Sequence, residues 1–228
     1  MKEELRNLEA ESFLIEKLQP EQIEKRSFEI IEAELISRGI KLSPEEAMIT
    51  KRVIHTSADF EYADTMTYSP DAVDIAKRLL LAGADIVTDT NMALAGINKR
   101  ALEQLGGKAY CFMADENVAA EARRRGLTRA AVSMEKVAER EEMGKKNPII
   151  FAVGNAPTAL LKLYEMLQEG SFRPDFVIGV PVGFVNVEAA KEWIMQTDIP
   201  YIISRGRKGG SSIAAAICNA LLYELTRK

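Results

Sequence analysis

Apolar positions along the chain recur with two different periods. In Ser27-Phe28-Glu29-Ile30-Ile31-Glu32-Ala33-Glu34-Leu35-Ile36 they fall at helical spacing, and Gly39 supplies a stop. Ser43-Pro44-Glu45-Glu46 combines an N-cap serine, a proline at the first helical position and a glutamate three residues after the cap. A helix is therefore expected to start there and to run to about Ile54 or His55. Ser69-Pro70-Asp71 predicts a further start of the same kind, with an end near Gly83.

Beyond Gly83 short apolar runs alternate with helical patterns. The runs are residues 85–88, 108–113, 149–153, 176–180 and 201–203, and the Ala-rich stretch 211–226 closes the series as a long helix. Strand-helix alternation of this kind predicts an α/β protein: a three-layer α/β/α sandwich with a mostly parallel, doubly wound sheet of about five strands. The earlier helices form an N-terminal lead-in. The most polar internal stretch, 135–147, reads as the end of a helix plus a loop. With no repeat, low-complexity tract or linker, residues 1–228 read as one domain.

Composition narrows the function. Thirty basic against 34 acidic residues leave a net charge of −4, without the basic excess usual in a nucleic-acid binder. The opening residues, 1–13, are polar and acidic rather than a signal peptide, and no apolar run approaches the roughly 18 residues that span a bilayer. No membrane or nucleic-acid partner is expected. Cys111 and Cys218 have neither metal spacing nor a disulfide framework, which fits a reducing cytoplasm. His55 is the one histidine, so a three-histidine zinc site is excluded and no metal site is expected.

In doubly wound folds ligands bind beyond the carboxyl ends of the strands. The segment there with most chemical potential is Arg205-Gly206-Arg207-Lys208-Gly209-Gly210-Ser211. Its glycines permit close backbone approach, a helix amino terminus follows, and Arg205, Arg207 and Lys208 add three cations, a combination suited to carboxylates or phosphates. Neither a Walker A order nor G-x-G-x-x-G is present. Gly154-Asn155-Ala156-Pro157-Thr158 can cradle an anion or be a plain capped turn; Asn155 and Thr158 are its candidate substrate-binding side chains. Gly179-Val180-Pro181-Val182-Gly183-Phe184 can wall a large flat apolar ligand or simply pack. Arg52 and His55 share one helix face near a carboxyl terminus that suits a proton-donating imidazole. Arg123-Arg124-Arg125 reads as a solvated face.

Five segments in this order carry a resemblance: Arg52-Val53-Ile54-His55, Tyr68-Ser69-Pro70-Asp71, Gly154-Asn155-Ala156-Pro157-Thr158-Ala159-Leu160, Gly179-Val180-Pro181-Val182-Gly183-Phe184-Val185 and Arg205-Gly206-Arg207-Lys208-Gly209-Gly210-Ser211. From about Ser27 to about Leu222 the sequence resembles the precorrin-8X / cobalt-precorrin-8 methylmutase family of cobalamin biosynthesis. The resemblance implies an isomerase that moves a methyl group from carbon 11 to carbon 12 of the corrin-type macrocycle. It gives cobyrinate or hydrogenobyrinate and needs no cofactor, since any cobalt arrives in the substrate. It also implies His55 as proton donor and acceptor, Arg52 and Ser27 as substrate contacts, and a homodimer binding the macrocycle near the subunit interface. Thr56-Ser57-Ala58-Asp59-Phe60-Glu61-Tyr62 looks closer to the cobalt-handling, anaerobic-route members.

Other readings stay open on residues alone. A non-catalytic tetrapyrrole carrier would keep the basic loop and apolar walls without needing His55. A nucleotide- or S-adenosylmethionine-dependent enzyme would share the sheet but lacks its glycine fingerprint here.

Overall fold

The computed structural model describes residues 15–142 and 147–227. The polar opening stretch and residues 143–146 of the expected helix-end loop lie outside that description. Among the described residues three helices lead in: α1 (Pro20–Ser37), α2 (Pro44–Ser57) and the short α3 (Tyr62–Thr65). There follow β1 (Met66–Tyr68), α4 (Ala72–Leu81), β2 (Asp85–Thr88), α5 (Asn91–Gly96), α6 (Lys99–Gln104), β3 (Ala109–Tyr110), α7 (Glu116–Arg125) and α8 (Arg129–Glu142). The chain ends with β4 (Ile149–Val153), α9 (Pro157–Glu169), β5 (Phe176–Gly179), α10 (Val187–Met195), β6 (Tyr201–Ser204) and α11 (Ser211–Thr226).

The six strands form one sheet in the order β1-β6-β5-β4-β2-β3. β2 to β6 pair in parallel, and β1 adds an antiparallel edge with Thr67 opposite Ile203. Each parallel strand is apolar on both faces, and the faces divide cleanly. In β4, Ile150 and Ala152 join a core with α1, α2, α4, α5, α6 and α11, whereas Ile149, Phe151 and Val153 join one with α7, α8, α9 and α10. These are the two outer layers of the sandwich. α11 is buried on most of its circumference and packs on α2, α4 and α5, which is why its sequence is Ala-rich.

Three local details depart from the sequence expectation. β1 is an additional strand, and β3 is only two residues long. α1 begins at Pro20, ahead of the apolar stripe: proline suits the first helical position, and the Gln19 N–H donates to Gln22 Oε1 at 3.1 Å. Ser43 caps α2 as expected, but Ser69 caps nothing: its hydroxyl accepts the Tyr201 N–H at 2.9 Å, and α4 starts after Asp71 in a left-handed conformation (φ 56°). Ser69 thus serves the β1–β6 edge instead of a helix. Among the described residues no helix is long and apolar enough to cross a membrane.

Candidate active site

Sheet order reverses at β2, which has β3 on one side and β4 on the other. In doubly wound folds that switch point opens the ligand crevice at the carboxyl edge. Here Asp89, fully buried just after β2, joins the end of β2 to the turn after β4. Its Oδ1 accepts the Gly154 N–H at 2.8 Å, and its Oδ2 accepts those of Asn155 and Ala156 at 2.8 and 2.6 Å. Burial pushes the Asp89 carboxyl above the usual aspartate value, against three N–H donors that favour the charged form. The backbone cradle read from the sequence therefore exists, but the chain's own carboxylate fills it. What the turn can still offer a ligand are side chains. Asn155 is exposed, while the Thr158 hydroxyl lies 2.7 Å from that of Thr128.

Gly154 also brings β4 against the basic loop. A Cβ there would lie 2.7 Å from Ser211 Cα and 2.8 Å from the Gly210 carbonyl oxygen, so only glycine fits. Thr90 and Ser211 hydroxyls meet at 2.8 Å, joining the ends of β2 and β6 as well.

The basic loop itself, residues 205–210, is held on both sides. The Gly210 N–H donates to Val180 at 2.9 Å, and the Gly183 N–H to Arg207 at 3.1 Å. A Cβ on Gly209 would fall 2.1 Å from the Val180 carbonyl oxygen. Each of its cations has acidic company. Arg205 makes a two-pronged contact with Glu192 at 3.1 and 3.0 Å, and Arg207 lies 3.3 Å from Glu188 with its guanidinium 5.6 Å from the Phe184 ring. Lys208 reaches Asp59 at 2.5 Å and Glu61 at 2.7 Å, and the hydrogen bond to Asp59, then that to Glu61, holds its ammonium well above the usual lysine range. In the neighbouring loop Val182, Phe184 and Val185 are exposed.

The third group sits where α1 meets α2. Glu24, Phe28, Ile31 and Leu35 recur at helical spacing on α1, and Ile31 and Leu35 are its buried positions. Phe28 stacks on His55 with centroids 5.3 Å apart and planes 17° apart. The Arg52 guanidinium is 5.1 Å from the Phe28 ring, 5.1 Å from the Tyr223 ring, and donates to Glu24 at 2.7 Å. That donation is the leading reason the Glu24 carboxyl sits below the usual range. Ser27, next to Phe28 in the chain, is half-buried, its hydroxyl donating to the Ile23 carbonyl. The His55 imidazole is exposed, and among the described residues no group hydrogen-bonds its ring nitrogens.

Arg52 and His55 thus meet on the Phe28 ring, with Ser27 next to Phe28 in the chain; Arg205, Arg207 and Lys208 share one loop but pair with different carboxylates, and Asn155 and Thr158 belong to the turn after β4 and the first turn of α9. The bridge between the groups is the segment after α2: Ala58 turns left-handed (φ 54°), Asp59 and Glu61 grip Lys208, and the Tyr62 hydroxyl donates to Gly209 at 3.5 Å. The sequence reading missed Phe28, Asp89 and Lys191. Lys191 had a visible signal: Val187, Ala190, Lys191 and Ile194 form one helical stripe, and only the lysine is charged.

Known proteins resemble this chain closely. The family described as precorrin-8X methylmutase matches residues 22–224. The cobalt-precorrin-8 methylmutase of Salmonella typhimurium is 42% identical over 211 residues, covering 91% of this chain and 96% of that protein. The precorrin-8X methylmutase of Pseudomonas aeruginosa is 37% identical over 204 residues, covering 89% and 94%. The solved precorrin-8X methylmutase of Thermus thermophilus superposes with a TM-score of 0.77 at 38% identity, covering 88% of this chain and 96% of that one.

Proposed function

The chain belongs to the precorrin-8X methylmutase family, and from that premise we propose that His55 lends and recovers the proton that drives its methyl shift. The protein is an enzyme, an isomerase of cobalamin biosynthesis that acts on a corrinoid. The isomerisation moves a methyl group within one molecule, from carbon 11 to carbon 12, so it consumes no atom and no electron. A proton placed on the conjugated macrocycle redistributes its electrons and eases the migration, and the imidazole takes a proton back when the shift is complete. The remaining work is to hold the reactive geometry.

The observation that carries this reading is the seating of His55. Phe28 fixes the plane of its ring, Arg52 and Glu24 brace the helix beneath, and both ring nitrogens stay open to a ligand. The same reading assigns the macrocycle's peripheral carboxylates to the basic loop, with Arg205, Arg207, Lys208, Asn155 and Thr158 as contacts beside Arg52 and Ser27. Val182, Phe184 and Val185 offer the apolar surface that a flat ring needs, or that a second copy needs in a homodimer with the site near its interface. No cofactor takes part in this scheme; cobalt travels in the substrate. Residues 56–62 and four relatives named for cobalt-precorrin-8 at 40–42% identity support the cobalt-containing substrate and the anaerobic route, while two more so named, at 34% and 31%, fall below the 37% of two named for precorrin-8X. The working compartment is the cytoplasm.

The test is the absorption spectrum of cobalt-precorrin-8 incubated with the purified protein. Methyl migration alters the chromophore, so a new spectrum should develop with turnover. A bound but spectrally unchanged substrate would mark a carrier instead.

A further inference from the structure

Lys191 is fully buried on α10, on the stripe it shares with Val187, Ala190 and Ile194. Among the described residues no carboxylate forms an ion pair with it. Glu188, one turn earlier, is exposed and lies against Arg207. The Lys191 ammonium instead donates to two backbone carbonyls of one loop, Gly206 at 2.8 Å and Lys208 at 2.9 Å. The Ser204 hydroxyl adds a second donor to the Lys208 carbonyl at 3.2 Å.

A buried ammonium is costly unless hydrogen-bonded, and a leucine or methionine would complete the apolar stripe more cheaply. The charge is therefore best explained by what it holds. Carbonyls at 206 and 208 turn inward to Lys191, while the side chains of Arg205, Arg207 and Lys208 remain at the surface. On its other side the loop is fastened by the Gly210 N–H to Val180 and by the tight approach of Gly209. We propose that Lys191 is a positioning residue that fixes the 205–210 loop, and with it the three cations, in the shape that receives the carboxylates of the corrinoid. This rests on the corrinoid reading of that loop given above. Lys191 lies under the loop and touches no substrate; it acts through the backbone it grips.

The experiment compares the parent enzyme with Lys191→Met, which keeps the length and loses the donors, and with Lys191→Gln, which keeps a shorter donor. Hydrogen exchange is read on the ligand-free proteins and steady-state kinetics on cobalt-precorrin-8. In Lys191→Met the amides of 206–210 should lose protection while β5 and α11 keep theirs. KM should rise by about the factor expected for one charge-assisted contact, ten- to a hundredfold, with kcat little changed. Lys191→Gln should fall between the two, and it carries the comparison should the methionine variant not fold. A KM equal to the parent's would overturn the proposal, whether or not exchange changes. So would a lower melting temperature with KM unmoved, which marks a packing role alone. If the parent itself fails to convert the corrinoid, the functional reading falls and this proposal with it.

Discussion

His55 and Phe28 stack ring on ring across the α1–α2 contact, 5.3 Å between centroids and 17° between planes. An aromatic pair of this kind is worth about 0.5–1.5 kcal/mol. It fixes the plane of an exposed imidazole that has no hydrogen bond to the described residues. Residues 27 positions apart in the sequence thus define one orientation of the group proposed to move the proton.

Phe28→Ala should therefore lower kcat by up to about tenfold, the kinetic equivalent of losing that stack, while KM changes less. Steady-state kinetics on the corrinoid check it. A KM defect with kcat intact would show that Phe28 serves binding and not the orientation of His55.

Asp89→Asn removes one acceptor and introduces an N–H₂ group facing backbone donors in a fully buried place. At least one of the three N–H groups is left unpaired, at a cost of about 1–3 kcal/mol. The melting temperature should fall by roughly 2–10 °C for a chain of this size. Calorimetry reads it directly, and an unchanged melting temperature would mean that the clamp contributes little.

Much of this architecture is legible in the sequence. Strands buried on both faces appear as unbroken apolar runs such as Ile149–Val153, and α2 announces itself through Ser43 and Pro44. β1 escapes notice because three half-buried residues carry no period. The charges of the basic loop are visible in the chain, but their partners are not. Asp59 lies 149 residues before Lys208, and Asp89 lies 65 to 67 residues before the amides it binds. Such pairs are made by the crossovers of the sheet, which local patterns do not encode.

Lys208 is gripped by Asp59 and Glu61, so a substrate carboxylate bound there as proposed would have to share it. Lys208→Ala should weaken corrinoid binding by about ten- to a hundredfold at low salt, with a smaller effect at high salt. Asp59→Asn should tighten binding, because it leaves the ammonium with Glu61 as its one remaining carboxylate partner. Equilibrium titration of both variants decides the matter: weaker binding in Asp59→Asn would show that the pair acts as a unit that shapes the loop.

Burial lowers the Lys191 ammonium to about 8 from its ordinary 10.5, with the exposed Glu188 opposing the shift. Between those values the unfolded chain holds more protons at this site than the folded one. The Lys191 contribution to stability should therefore rise with pH, by at most about 1.4 kcal/mol per pH unit. Below about pH 8 the contribution is flat. Denaturant unfolding of the parent minus that of Lys191→Met, from pH 7 to pH 10, isolates it, and a difference that stays constant over the range would contradict the shift.

The proton-transfer role of His55 is tested most directly by His55→Ala in a single-turnover experiment with cobalt-precorrin-8, followed by absorption. The exposed side chain contributes little to packing, so the variant should fold and bind the corrinoid. The methyl shift should slow by about a hundredfold or more, the usual worth of a positioned general acid. Conversion at the parent's rate would contradict the account.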